Sequence, residues 1–125
     1  MTFIEERVRE IGEKYAHLAQ DVLVLRLTEE TLKLILVLND GTTLRLAERW
    51  QSGTLARYSY YWLDVNDRLK IGWDNAPNYR RLDNFPHHKH VGEHATRKAS
   101  YQLCLEDVMV VLEKEMTTDR GRGAT

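Results

Sequence analysis

The sequence predicts an α+β domain, an antiparallel sheet of about five to six strands packed with an N-terminal and a C-terminal helix. Three observations carry that reading. The apolar period switches from about 3.6 residues to 2 after the first twenty residues, and back again near residue 100. Two turn dipeptides, Asp40-Gly41 and Asn66-Asp67, interrupt apolar runs as hairpin turns do. The chain has 125 residues, 42% hydrophobic and 30% charged, which suits one globular domain with a single core.

Residues 1–20 carry the first helix. Ile4, Val8, Ile11, Tyr15 and Leu18 lie on one stripe between residues 3 and 18. Thr2 and Glu5 have the spacing of a capping box, and Gly12 weakens the helix slightly. Residues 21–74 form the sheet. Val22 to Leu27 and Thr31 to Leu38 are branched and apolar, as strands are. Leu32, Leu34, Leu36 and Leu38 share one face, and Lys33, Ile35 and Val37 the other. With both faces largely apolar, this strand is expected to be covered on both sides. Thr42 to Glu48 returns after Asp40-Gly41. Arg57 to Val65 and Arg68 to Trp73 flank Asn66-Asp67. Tyr58, Tyr60, Trp62 and Asp64 share a face. Residues 75–99 show no sustained period and are expected as a long loop, docked through Tyr79 and Phe85. Residues 100–117 resume a helix, with Leu105, Val108, Met109, Leu112 and Met116 as its stripe and Ser100 as a possible N-cap. Residues 118–125 read as a flexible tail.

Net charge is −1, so any nucleic-acid binding needs a local basic patch rather than the whole molecule. Cys104 is the one cysteine, which excludes an intrachain disulfide and a cysteine zinc cage. It reads as a packing residue. No apolar run is long enough to cross a bilayer, and the acidic start lacks the pattern of a secretory signal. A cytoplasmic location is expected.

Four of the five histidines fall in one window, His87, His88, His90 and His94. Lys89 lies among them, with Arg80 and Arg81 before and Arg97 and Lys98 after. Imidazoles exchange protons near neutral pH, and adjacent cations hold anions. That combination suits a phosphodiester. Metal-free RNA cleavage needs one group to deprotonate the ribose 2′-hydroxyl and another to protonate the leaving 5′-oxygen. A cation then stabilises charge on phosphorus. In an extended segment His88 and His90 share a side, opposite His87 and Lys89. In a helix His90 and His94 share a face, and Asp74, Asp83 or Glu93 can then complete a metal site. Gly92 and the absence of a helical HExxH pattern favour the metal-free reading, with no cofactor. A bland reading also stands, a polar loop whose histidines bond the Asp74-Asn75 turn.

The tracts Tyr58-Ser-Tyr-Tyr-Trp-Leu-Asp64, Trp73-Asp-Asn-Ala-Pro77 and Phe85-Pro-His-His-Lys-His-Val-Gly92 resemble the TumE family of prokaryotic toxin–antitoxin proteins. The resemblance runs from about Tyr58 to the C-terminal helix. It implies a small cytoplasmic toxin bound by a cognate antitoxin, and RNA cleavage is the activity inferred for it. Residue roles follow from chemistry. His87, His88 and His90 are the candidate acids and bases, Lys89 the phosphate holder, and Asp74 the carboxylate that orients an imidazole. Tyr58 and Tyr60 are expected to stack bases, with Arg57, Arg80, Arg81 and Lys98 following the phosphates. A homodimer is compatible with this reading. The alternative from another class is a non-catalytic module that docks a protein or nucleic acid through the same loop.

Overall fold

Both turn dipeptides reverse the chain. Gly41 N–H donates to the Leu38 carbonyl at 3.0 Å, with Gly41 at φ 87°, where a side chain would be strained. At the second turn the Asp64 carboxylate accepts from the backbone of Asn66 and Arg68, at 2.8 and 3.0 Å. These two bonds hold its carboxyl below the usual carboxylate range. Asp64 is therefore turn chemistry. A third hairpin turns on Ser52 and Gly53, both at positive φ, as a two-residue type I′ turn requires.

The computed structural model describes residues 1–92 and 96–123. The elements run α1 (Phe3–Lys14), β1 (Ala19–Leu27), β2 (Thr31–Leu38), β3 (Thr43–Gln51), β4 (Thr54–Leu63), β5 (Leu69–Asp74), β6 (His88–Val91), β7 (Thr96–Ala99) and α2 (Leu105–Gly123). All seven strands join one antiparallel meander in sequence order. The α+β class stands, with more strands than the pattern suggested. The expected loop at 75–99 contains β6 and β7. They escape a periodicity reading because each is four residues long and mostly polar. Helix α2 starts later than expected, with Cys104 rather than Ser100 accepting its first backbone bond, from Val108 at 3.2 Å. It also continues to Gly123, into the stretch read as a tail. No helix among the described residues is long and apolar enough to cross a membrane.

Both helices cover the same face of the sheet. Ile4 and Ile11 of α1, and Leu105, Val108, Met109, Leu112 and Met116 of α2, share one core with Leu32, Leu34, Leu36, Leu44, Leu46, Tyr58, Tyr60, Trp62 and Trp73. Glu48 of β3 ties them together. Its fully buried carboxylate accepts from Arg7 Nε and Nη2 at 2.9 Å, from Trp50 Nε1 at 2.9 Å and from Tyr60 Oη at 2.5 Å. Arg7 also donates to Glu106 of α2 at 2.7 Å. One carboxylate thus fixes α1, β3, β4 and, through Arg7, α2. The other face of β2 is not covered by a helix, contrary to expectation. Ile35 and Val37 there are only half-buried and Lys33 is exposed. Two helices can shield one face of a sheet this wide, and they take the more apolar one.

Glu48→Ala leaves the buried Arg7 guanidinium with Glu106 alone and takes the acceptor from Trp50 and Tyr60. It is expected to cost about 3–5 kcal/mol, the range for removing one partner of a buried ion pair. Urea denaturation of the variant and parent measures it.

Candidate active site on the open face of the sheet

Strand register builds the site. One cross-strand row on the uncovered face runs Arg26, Lys33, Ala47, Ser59, Asp74, His88. The neighbouring row runs Ile35, Arg45, Tyr61, Gly72, His90, Arg97. Directly paired residues point to the same side, so Asp74, His88, Tyr61 and His90 converge.

The Asp74 carboxylate is the hub. Its Oδ1 lies 2.9 Å from His88 Nε2 and accepts from Ala76 N at 3.0 Å. Its Oδ2 accepts from Tyr61 Oη at 2.9 Å and lies 3.2 Å from His90 Nε2. His88 is 2% exposed, and its Nδ1 lies 3.0 Å from the Pro86 carbonyl. Both nitrogens of His88 therefore face acceptors, and using both bonds requires both N–H groups. His90 differs. Donation from Nε2 to Asp74 leaves Nδ1 with its lone pair, and that atom has no partner among the described residues. The two rings thus differ: both nitrogens of His88 face acceptors, whereas one nitrogen of His90 is open among the described residues.

Tyr61 reaches Asp74 by lying across Gly72. A Cβ at residue 72 would come within 2.2 Å of the Tyr61 ring, so only glycine admits this path. Burial and the bond to Asp74 push the Tyr61 phenol up to about 12, which keeps it a donor at neutral pH. Tyr79 meets His88 edge-on, with ring centroids 5.0 Å apart, and the Arg97 guanidinium lies over the Tyr79 ring. The cluster opens onto a concavity of about 720 Å³. Arg26, Lys33, Arg49 and Arg57 line it, and none of these four is in an ion pair among the described residues. A row of cations with no paired acid suits a phosphate chain.

The family described as Toxin TumE matches residues 4–117. The chain belongs to the TumE toxin family. No curated protein and no solved structure matches it. The tracts that carry the TumE resemblance have separate duties here. Trp73 enters the core and donates to Gln102 at 3.2 Å. Asp74 faces the cavity. Asn75 accepts from Tyr58 N at 2.9 Å and donates to the Ala56 carbonyl at 3.1 Å, extending the β4–β5 pairing with its side chain. Pro86 supplies the carbonyl that His88 uses.

The structure brings together three of the five candidate catalytic residues, Asp74, His88 and His90. It places the other two elsewhere. Lys89 pairs with Trp73 and so points to the helix-covered side. His87 stacks on Tyr58 with centroids 5.8 Å apart, and its Nδ1 lies 2.8 Å from the Tyr58 hydroxyl. Burial, then the nearby His88, push its ring below the usual imidazole range. Tyr58 and Tyr60 are buried and cannot offer a ring face to a base. Their shared side proved to be the one the helices cover. Arg57 lines the cavity. Arg80 and Arg81 are exposed on the β5–β6 connection, and Lys98 pairs with Lys89 on the far side. His94 and Glu93 lie outside the described residues. Cys104 is no nucleophile candidate, since burial pushes its thiol up. Sequence reasoning missed Tyr61, Tyr79, Arg26, Lys33 and Arg49. The parity of Tyr61 with Ser59, opposite the aromatic side of β4, is the signal that could have found it.

Gly72→Ala should drive Tyr61 off Asp74 and cost about 1–3 kcal/mol. The same substitution in a Tyr61→Ala background should cost far less, and thermal melts of the four-member cycle measure the coupling.

Proposed function

We propose that this chain is the RNA-cleaving toxin of a toxin–antitoxin pair, and that the Asp74–His88–His90 cluster performs the cleavage. The observation that carries this reading is a buried carboxylate with two converging imidazoles, set into a cationic face that no helix covers. Arg26, Lys33, Arg49 and Arg57 hold consecutive phosphates of a single strand. Tyr79 at the rim and Tyr61 on the floor offer ring surface to bases, replacing Tyr58 and Tyr60 in that role.

In the step itself, His90 Nδ1 takes the proton of a ribose 2′-hydroxyl. The 2′-oxygen attacks phosphorus, the bond from phosphorus to the 5′-oxygen breaks, and the proton that His88 Nε2 shares with Asp74 Oδ1 passes to that oxygen. Asp74 fixes the tautomer of His90 and balances the charge on His88. Acid–base transfer of this kind contributes roughly 100- to 10,000-fold. The arginines stabilise the added negative charge on phosphorus. A cognate antitoxin then silences the toxin by covering the open face, the one broad surface that the protein's own helices leave bare.

His88→Ala and His90→Ala should each lower cleavage of a labelled RNA by roughly 100-fold or more, with RNA affinity within a few-fold of the parent. Arg49→Ala and Arg57→Ala should weaken binding and each lower the slope of log K against log salt by about one. Expression of the parent should arrest bacterial growth, and the His88→Ala/His90→Ala double variant should not. Near-parental cleavage by a folded double variant would place the chemistry outside this cluster, and a parent that binds RNA without cleaving it would leave a binding module as the better reading.

A further inference from the structure

We infer that Asp74, His88 and His90 also form a site for one divalent transition-metal ion of the zinc class. The inference rests on the same centre as the cleavage reading and adds a regulator to it. One ligand atom from each residue lies within 4.8 Å of the others, and all three residues are buried or half-buried.

Three features of the geometry support it. The first is the facing of lone pairs. His88 Nδ1 lies 3.0 Å from the Pro86 carbonyl, an atom that only accepts, so Nδ1 carries the hydrogen. In the neutral ring the Nε2 lone pair then points at Asp74 Oδ1 from 2.9 Å. Two lone pairs at that distance repel unless a positive centre lies between them, and a proton or a metal ion serves. The second is spacing. The two Nε2 atoms lie 2.9 and 3.2 Å from the two oxygens of one carboxylate, close to the roughly 3.4 Å edge of a tetrahedral ion with bonds near 2.1 Å. The third is the outer support. Ligating histidines commonly donate their other N–H to a carbonyl, as His88 does to Pro86, and ligating carboxylates are themselves hydrogen-bonded, as Asp74 is to Tyr61 and Ala76. All three ligands stand on the paired strands β5 and β6, which hold them rigidly. Two imidazoles and one carboxylate select the zinc-class ions over magnesium or calcium, which take oxygen ligands.

Ion binding occupies the Nε2 atoms of both rings. The ion and the cleavage step therefore compete for the same three side chains, and the bound ion holds the nuclease off.

The test titrates zinc chloride into the chelator-treated full chain by calorimetry, with cobalt(II) absorbance as the second readout. The expected result is one ion per chain, a raised melting temperature, and affinity weakened at least 10-fold in Asp74→Asn, His88→Ala and His90→Ala. His17→Ala removes an exposed histidine paired with Glu113 and should bind as the parent does. Where a site variant fails to fold, cobalt-induced shifts of the His88 and His90 ring protons in the parent decide the matter. The site is overturned if the parent binds no ion, or if the His88→Ala/His90→Ala double variant binds as tightly. RNA cleavage separates the two readings. Cleavage by the chelated chain, abolished by one equivalent of zinc, supports both. Cleavage unchanged by added zinc, with no ion taken up in the titration, overturns the metal site and leaves the nuclease standing. Zinc binding at the three residues with cleavage only in its presence supports the site and overturns metal-free proton transfer.

Discussion

The Asp74 carboxylate is the constraint around which the functional half of the molecule is arranged. Its two oxygens meet four hydrogen-bond partners, one each from Ala76, Tyr61, His88 and His90. A buried carboxylate without such partners would be strongly disfavoured, so the surrounding chain must supply them. Strand β6 does so by pairing with β5 in the register that sets His88 opposite Asp74. A slip of one residue would turn His88 and His90 to the helix side and bring Lys89 to the carboxylate. The histidine tract is therefore fixed in place by the chemistry it carries as well as by its backbone bonds.

The second organising fact is the inequality of the two sheet faces. Glu48 gathers Arg7, Trp50 and Tyr60 under the helices, and Asp74 gathers Tyr61 and the histidines on the opposite side. The two buried carboxylates stand on β3 and β5, either side of β4, and face opposite sides of the sheet. Glu48 is saturated by an arginine, an indole and a phenol that have no other task than packing. Asp74 is met by a phenol, two imidazoles and a backbone N–H beside the cavity. With α1 and α2 both committed to the Glu48 side, the other face keeps its arginines and lysines exposed. The concavity is thus a consequence of where the helices dock.

Much of this was legible in the sequence. The Asp40-Gly41 and Asn66-Asp67 turns, the leucine face of β2 and the side shared by His88 and His90 all follow from dipeptide chemistry and a period of two. Ser52-Gly53 was overlooked because polar residues and arginine surround it rather than apolar runs. Strands β6 and β7 were read as loop because their few residues carry no apolar alternation to count. The deeper failure concerns parity. Alternation along β4 says that Tyr58, Tyr60 and Trp62 lie together, but not which side the helices will cover. That choice depends on summed apolar surface across several strands, so Tyr58 and Tyr60 were assigned to the wrong role and Tyr61 was passed over. Lys89 failed for the related reason that a sequence neighbour in a strand points away. Gly72 reads as a weak spot in a strand until the ring of Tyr61 is seen to lie across it.

The central claim is that Asp74 sets His88 and His90 in different hydrogen-bonding states within one centre. Nitrogen NMR of the histidine side chains in the chelator-treated protein tests it most directly. His90 should appear as the Nε2–H tautomer with a free Nδ1 lone pair, and His88 should carry hydrogen on both nitrogens. Asp74→Asn should abolish both signatures without unfolding the sheet. Two rings that exchange freely between tautomers in the parent, indistinguishable from exposed His17, would contradict the account.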